Sequence, residues 1–209
     1  MKRKKRTFIR RFFQILLLLI VLFGGIVFYH DYRQLKAVHQ YDQMVAESVD
    51  KAGISQYKDI VLAILMTESK GQGLDPMQSS ESVYGERNQI QNPQESIDSG
   101  VDHFKKALDQ ANQQHTDIWT AVQAYNFGLD YIQYIAQHGG IHSTEKAEAY
   151  SRDILSPLLG NEEQKTYRYL GWTSLIYNGG YLYHNGGNLF YADLVKINQT
   201  KLKITNFLF

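Results

Sequence analysis

Residues 12–29, FFQILLLLIVLFGGIVFY, constrain this chain more than any other stretch, because they carry one amide side chain and no charge. As a helix the run is about 27 Å long against a hydrocarbon core of about 30 Å, long enough to span a bilayer. Seven bases and no acid stand before it: Lys2, Arg3, Lys4, Lys5, Arg6, Arg10 and Arg11. The positive-inside bias then makes 1–11 a cytoplasmic basic tail and 12–29 a transmembrane signal anchor, with everything after about residue 30 on the outer face of the cell membrane. A cleaved signal peptide is the alternative reading. It finds no small-x-small site in GGIVFYHDYRQ, and with no cysteine in the chain there is no lipobox either.

The basic tail also hides the character of the rest. Taking its seven bases from the 22 leaves 15 against 21 acids, a net charge of −6, which argues against a nucleic-acid partner. The absence of cysteine removes disulfides, thiolate metal sites and a cysteine nucleophile. With 209 residues the expectation is one extracellular domain of ordinary size.

Helical periodicity runs through that domain. Leu35, Val38, Val45, Val49 and Ala52 predict a helix ending near Gly53, so that 30–52 is either a stalk or the first helix of the fold. The stretch YKDIVLAILMTES is apolar nearly all round and suits a central buried helix. Residues 69–92 are rich in Gly, Ser, Asn and Gln, a long loop of the kind that usually carries function. Asn92 as cap, Pro93 and Glu95 then start a helix whose inner face is Ile97, Val101, Phe104 and Leu108. Further helices follow Thr116 or Asp117, cover LDYIQYIAQ, and run from STEKAEAY to a stop at Pro157. The aromatic segment beyond contains Asn178-Gly179 and Asn185-Gly186, which predict a short β-hairpin. Its tyrosines, Tyr191 among them, either line a cleft or pack beneath that hairpin. The fold class is therefore mainly α, with 53–195 as the main domain and 196–209 as a C-terminal tail.

The chemistry concentrates at LMTESKGQGLDPMQSSES, residues 65–82, where Glu68 ends an apolar helix and turn residues follow at once. Desolvation and the negative end of the helix dipole both disfavour the charged carboxyl. An acid still protonated near neutral pH can donate to the leaving oxygen of a sugar. Ser69 can orient that acid or bond substrate, Met77-Gln78 offers an amide beside an apolar contact, and Tyr125-Asn126 offers a ring face and an amide. The seven histidines are scattered and are read as solvated or capping side chains. P-loop, G-x-S-x-G, H-E-x-x-H and EF-hand patterns are missing, and no cofactor or metal is expected.

The E-S at 68 and 69, M-Q at 77 and 78 and AYNFG at 124–128 resemble the ordered motifs of bacterial goose-type-like lysozymes, in the lytic transglycosylase superfamily. The likeness extends over roughly residues 35–195. It implies a lysozyme-like fold and an enzyme, a muramidase or lytic transglycosylase, that cuts peptidoglycan glycan strands during cell-wall remodelling, with Glu68 as catalytic acid. It also implies Ser69, Gln78, Ser79, Tyr125 and Asn126 as substrate-binding groups. LDPMQ replaces the usual G-L-M-Q, so the backbone before Gln78 is expected to differ. A hydrolase needs a second carboxylate. Asp75 and Glu81 are the candidates, and Glu81 is favoured because the motif includes it. The expected partners are the glycan strands, the cytoplasmic membrane through 12–29, and the cell-wall synthesis or division machinery. A wall-binding or envelope interaction protein that does not cut is the alternative.

Overall fold

The computed structural model describes residues 2–86 and 89–208. Helix α1 (Lys2–His39) carries the apolar run, and the side chains from Phe12 to Tyr29 are exposed along its length. Among the described residues it is the one helix long and apolar enough to cross a membrane, over Arg11–His39. Its last turns behave differently, because Leu35 and Val38 are buried. The chain turns at Gln40 and Tyr41 and continues as α2 (Asp42–Lys51), where Val45 and Val49 join the same core. Residues 35–51 thus pack within the fold, and the stalk alternative finds no support in their burial.

At the centre lies α3 (Lys58–Ser69), whose seven residues from Ile60 to Met66 are all buried. Being apolar on every side, it can be covered on every side. α2, the end of α1, and α11 (Tyr191–Thr205) pack against it. Fully burying a side chain such as Ile64 or Leu65 contributes about 1.5–3 kcal/mol, so this helix is the natural support for a strained site at its end.

After α4 (Ser80–Tyr84), α5 (Pro93–Gln113) begins as expected, with the Asn92 side chain accepting the Gln94 N–H at 2.9 Å. α6 (Ile118–Phe127) follows with Asp117 as its cap, and α7 (Asp130–Gln137) packs on both α5 and α6. α8 (Thr144–Tyr150) runs through a wider π-type turn (Ser151–Leu155) into α9 (Ser156–Leu158), so Pro157 precedes the end of the helix by one residue.

The expected short hairpin is present with a different connection, and one boundary needs correction. β1 (Thr166–Arg168) and β2 (Tyr181–Tyr183) do pair antiparallel, Tyr167 opposite Leu182, but no tight turn joins them. α10 (Trp172–Asn178) lies between, and the Asn178 side chain accepts the N–H groups of Gly180 and Tyr181 to close that helix. Asn-Gly favours a left-handed residue, which a helix stop needs as much as a hairpin does. The tail placed at 196–209 starts inside α11, where Leu202 is buried and Asn198 donates to Thr67 Oγ1 at 2.9 Å. The core begins at 35 and extends beyond 200, wider at both ends than 53–195.

Candidate functional site

Glu68 occupies the last turn of α3, and the chain leaves that helix through Lys70 in the left-handed conformation (φ 58°). Gly71 then passes so close to α1 that a Cβ on it would lie 2.5 Å from the backbone carbon of Ala37. Only glycine allows this approach. Burial pushes the Glu68 carboxyl up to about 7; a hydrogen bond donated by the Tyr191 hydroxyl (2.5 Å) opposes the rise, and the negative charge of Asp75 adds to it. Desolvation is thus the leading cause. The Tyr191 ring stacks on Tyr125 with centroids 6.2 Å apart.

The loop after Glu68 is organised by a second carboxylate in the opposite condition. Asp75 is buried, yet one oxygen accepts from the Ser79 N–H (3.0 Å) and the Ser96 hydroxyl (2.5 Å), the other from the Ser80 N–H (3.1 Å) and hydroxyl (2.6 Å). Burial alone would raise its pKa; these donors together outweigh burial and hold it below the ordinary carboxylate range. Met77 is fully buried against Gly100 of α5, where a Cβ would come within 2.6 Å of it. The apolar half of the M-Q pair is therefore a wedge that fixes the loop to α5. Gln78 adopts a left-handed conformation (φ 50°), exposes its side chain, and donates to the Asp75 carbonyl at 2.9 Å.

These elements surround a cavity of about 800 Å³ whose lining includes Glu68, Asp75, Gln78, Glu81, Tyr125 and Asn126. Of the residues expected at the site, Gln78, Glu81 and Asn126 are exposed to it. Ser69 is outside the lining: its hydroxyl donates to the Pro76 carbonyl at 2.8 Å and accepts the Gly71 N–H at 3.1 Å, pinning the loop. Ser79 reaches the cavity but is buried, with its hydroxyl on the Ser96 carbonyl at 3.0 Å. Tyr125 offers less ring face than expected, because it stands between Tyr191 and His103, and its hydroxyl is spent on the Met77 carbonyl at 2.9 Å. The Asn126 side-chain amide oxygen accepts the Asn188 N–H at 2.7 Å, which ties α6 to the start of α11.

Several participants escaped sequence reasoning. Tyr191 was grouped with an aromatic tail, whereas it bonds the buried acid from the first residue of α11. Gln123, fully buried, accepts the Ala192 N–H and donates to the Asn188 carbonyl, fixing where α11 begins. His103 lines the cavity; burial lowers its pKa, a hydrogen bond to the Tyr125 backbone resists this, and the Lys106 charge adds to the lowering. Its signal was available in part, since His103 adjoins the inner-face residue Phe104 and so turns toward the flank of α5. Among the described residues no group of three or more His, Asp or Glu side chains could hold a metal.

A proton donor at about 7, a fixed negative charge beside it, and exposed amides around an open cavity form a set able to protonate a leaving oxygen and stabilise developing positive charge. Known proteins resemble this chain over most of its length. Residues 35–199 match the family described as Lysozyme-like. Pneumococcal vaccine antigen A of Streptococcus pneumoniae serotype 4 is 41% identical over 194 residues, covering 93% of this chain and 95% of that one. The bifunctional muramidase/DL-endopeptidase CwlT of Bacillus subtilis is 41% identical over 100 residues, 48% of this chain and 30% of that protein. Among solved structures, a protein similar to lipoproteins of the NLP/P60 family from Staphylococcus aureus superposes with a TM-score of 0.72 at 32% identity, over 78% of this chain and 52% of that one.

Proposed function

The chain belongs to the lysozyme-like family, and from that premise we propose that it is a membrane-anchored peptidoglycan glycosidase. It cuts the β-1,4 bond between N-acetylmuramic acid and N-acetylglucosamine. The observation that carries the reading is the pairing at the cavity: Glu68 pushed up to about 7 by burial, beside Asp75 held ionised by serine and backbone donors. Similarity to a muramidase over 100 residues lends support.

Glu68 in its protonated form donates to the glycosidic oxygen as the bond breaks, and the oxocarbenium-like charge on the sugar is stabilised by Asp75. Each Asp75 oxygen already accepts two close hydrogen bonds, so it serves as a fixed charge better than as a nucleophile. Glu81, on α4 at the same cavity, is the candidate for activating water in hydrolysis. A lytic transglycosylase needs no such group, because the muramyl 6-hydroxyl can close an anhydro ring. Gln78 and Asn126 hold the acetamido and hydroxyl groups of the strand. Ser69, Ser79 and Tyr125 act one step back, by positioning the loop that presents them.

Residues 12–29 cross the cytoplasmic membrane with the basic tail inside, which leaves the cavity on the outer face near newly made wall. On this reading the enzyme works beside the synthesis or division machinery. Purified peptidoglycan is digested with the full chain in detergent and the products are weighed by mass spectrometry. Reducing muramyl ends identify a muramidase and anhydro ends a transglycosylase. Binding without any release of fragments would favour a wall-binding protein and overturn the reading.

A further inference from the structure

Glu68 and Asn126 line a second cavity as well, of about 360 Å³, bounded also by Gln34 of α1, Lys70, Tyr169 and Lys201. A glycosidic bond cut at Glu68 has sugar on both sides of the acid, so a polymer needs room on both sides of that carboxyl. The two cavities differ in charge. The larger adds Asp75 and Glu81 to Glu68; in the smaller, Glu68 is the sole carboxylate and two lysines face it. Lys201 is committed to Asp31 at 3.2 Å. Lys70 is exposed and has no ion pair among the described residues. Its place is set by the left-handed turn that ends α3, two residues from the acid, and it lines the smaller cavity together with Glu68.

We propose that the smaller cavity binds the muramyl residue and that Lys70 pairs with a carboxylate carried on that residue's lactyl arm. This rests on the peptidoglycan reading above and adds a selectivity: the site prefers muramyl units that carry negative charge over neutral amino sugars. Two sources supply the same chemistry, the free lactyl carboxyl of a strand stripped of peptide and the carboxylates of an attached stem peptide. A cation meeting a carboxylate in a half-open site contributes about 1 kcal/mol, which corresponds to about five-fold in affinity.

Binding is measured by calorimetry on the full chain in detergent carrying Glu68→Gln, so that nothing is cut. Three soluble ligands are compared: muramyl oligosaccharides with free lactyl carboxyls, their methyl esters, and oligosaccharides bearing the stem peptide. The expected result is an affinity about five-fold higher for the free acid than for the ester, a preference erased by adding Lys70→Gln and restored by Lys70→Arg. If only the peptide-bearing ligand shows the dependence on Lys70, the stem peptide is the source. Equal affinity for acid and ester together with no effect of Lys70→Gln on any ligand would overturn the proposal. Because the readout is binding, the proposal can fail while peptidoglycan cleavage by the wild type stands, and the reverse.

Discussion

The end of α3 and the loop that follows it hold the same chemical group in opposite states. Glu68 and Asp75 are seven positions apart, both taken from water, yet one is pushed up to about 7 and the other held below the ordinary range. Burial acts in the same direction on both. The difference is the number of donors: Glu68 has the Tyr191 hydroxyl, while Asp75 has two serine hydroxyls and two backbone N–H groups close by. Burial sets the default and hydrogen-bond donors decide whether it is reversed, which is how one short segment supplies both a proton donor and a permanent anion.

The sharpest way to break that contrast is to remove the proton donor. Glu68→Gln should cut strand cleavage by about 1000-fold or more with the fold intact, measured as fragment release beside a thermal melt. Asp75→Asn comes next. It leaves buried serine and N–H donors facing an amide, so a stability loss of about 3 kcal/mol is expected in denaturant titrations, with activity lost at least 100-fold in the fraction that folds.

Reversing the donor count is gentler. Ser80→Ala with Ser96→Ala leaves burial less opposed, so the Asp75 pKa rises and the acid limb of the activity profile moves to higher pH. Stability that Asp75 contributes above its unfolded pKa, and loses as pH falls, then disappears at a higher pH than in the wild type. Tyr191→Phe removes the one donor that lowers Glu68. Its pKa should climb further, moving the alkaline limb upward while the maximal rate changes only a few-fold.

The smallest effect concerns stability alone. Glu68 has a folded pKa above its unfolded 4.5, so the folded chain keeps a proton that the unfolded chain gives up between about pH 4.5 and 7. Folding stability should therefore fall across that window as pH rises, by roughly 1–2 kcal/mol after allowing for partial exposure. In Glu68→Gln that slope should vanish, as read from melts at pH 5 and pH 8.

How much of this was legible in the residues depends on distance along the chain. Glu68 after an apolar helix is a local signal, and so is the start of α5 at Asn92-Pro93, where a cap and a preset φ suffice. The environment of Asp75 was not legible, because Ser96 arrives from another helix 21 positions away. Nor was the role of Tyr191, 123 positions from the carboxyl it bonds. Preference for Glu81 over Asp75 as the second carboxylate rested on the motif that includes Glu81, whereas burial, which separates the two, is a property of the assembled fold. The expected hairpin is present, but its turn was misplaced for a related reason. Asn178-Gly179 announces a left-handed turn, and whether it ends a helix or joins two strands depends on what precedes it, here the short α10.

The central claim, that two neighbouring carboxyls are held in opposite protonation states, is tested most directly by carbon-13 NMR titration of the Glu68 and Asp75 side-chain carboxyls in the full chain. Glu68 should titrate near 7 and Asp75 below the usual aspartate range. A Glu68 carboxyl that titrates near its ordinary 4.5 would contradict the account, whatever the activity of the enzyme.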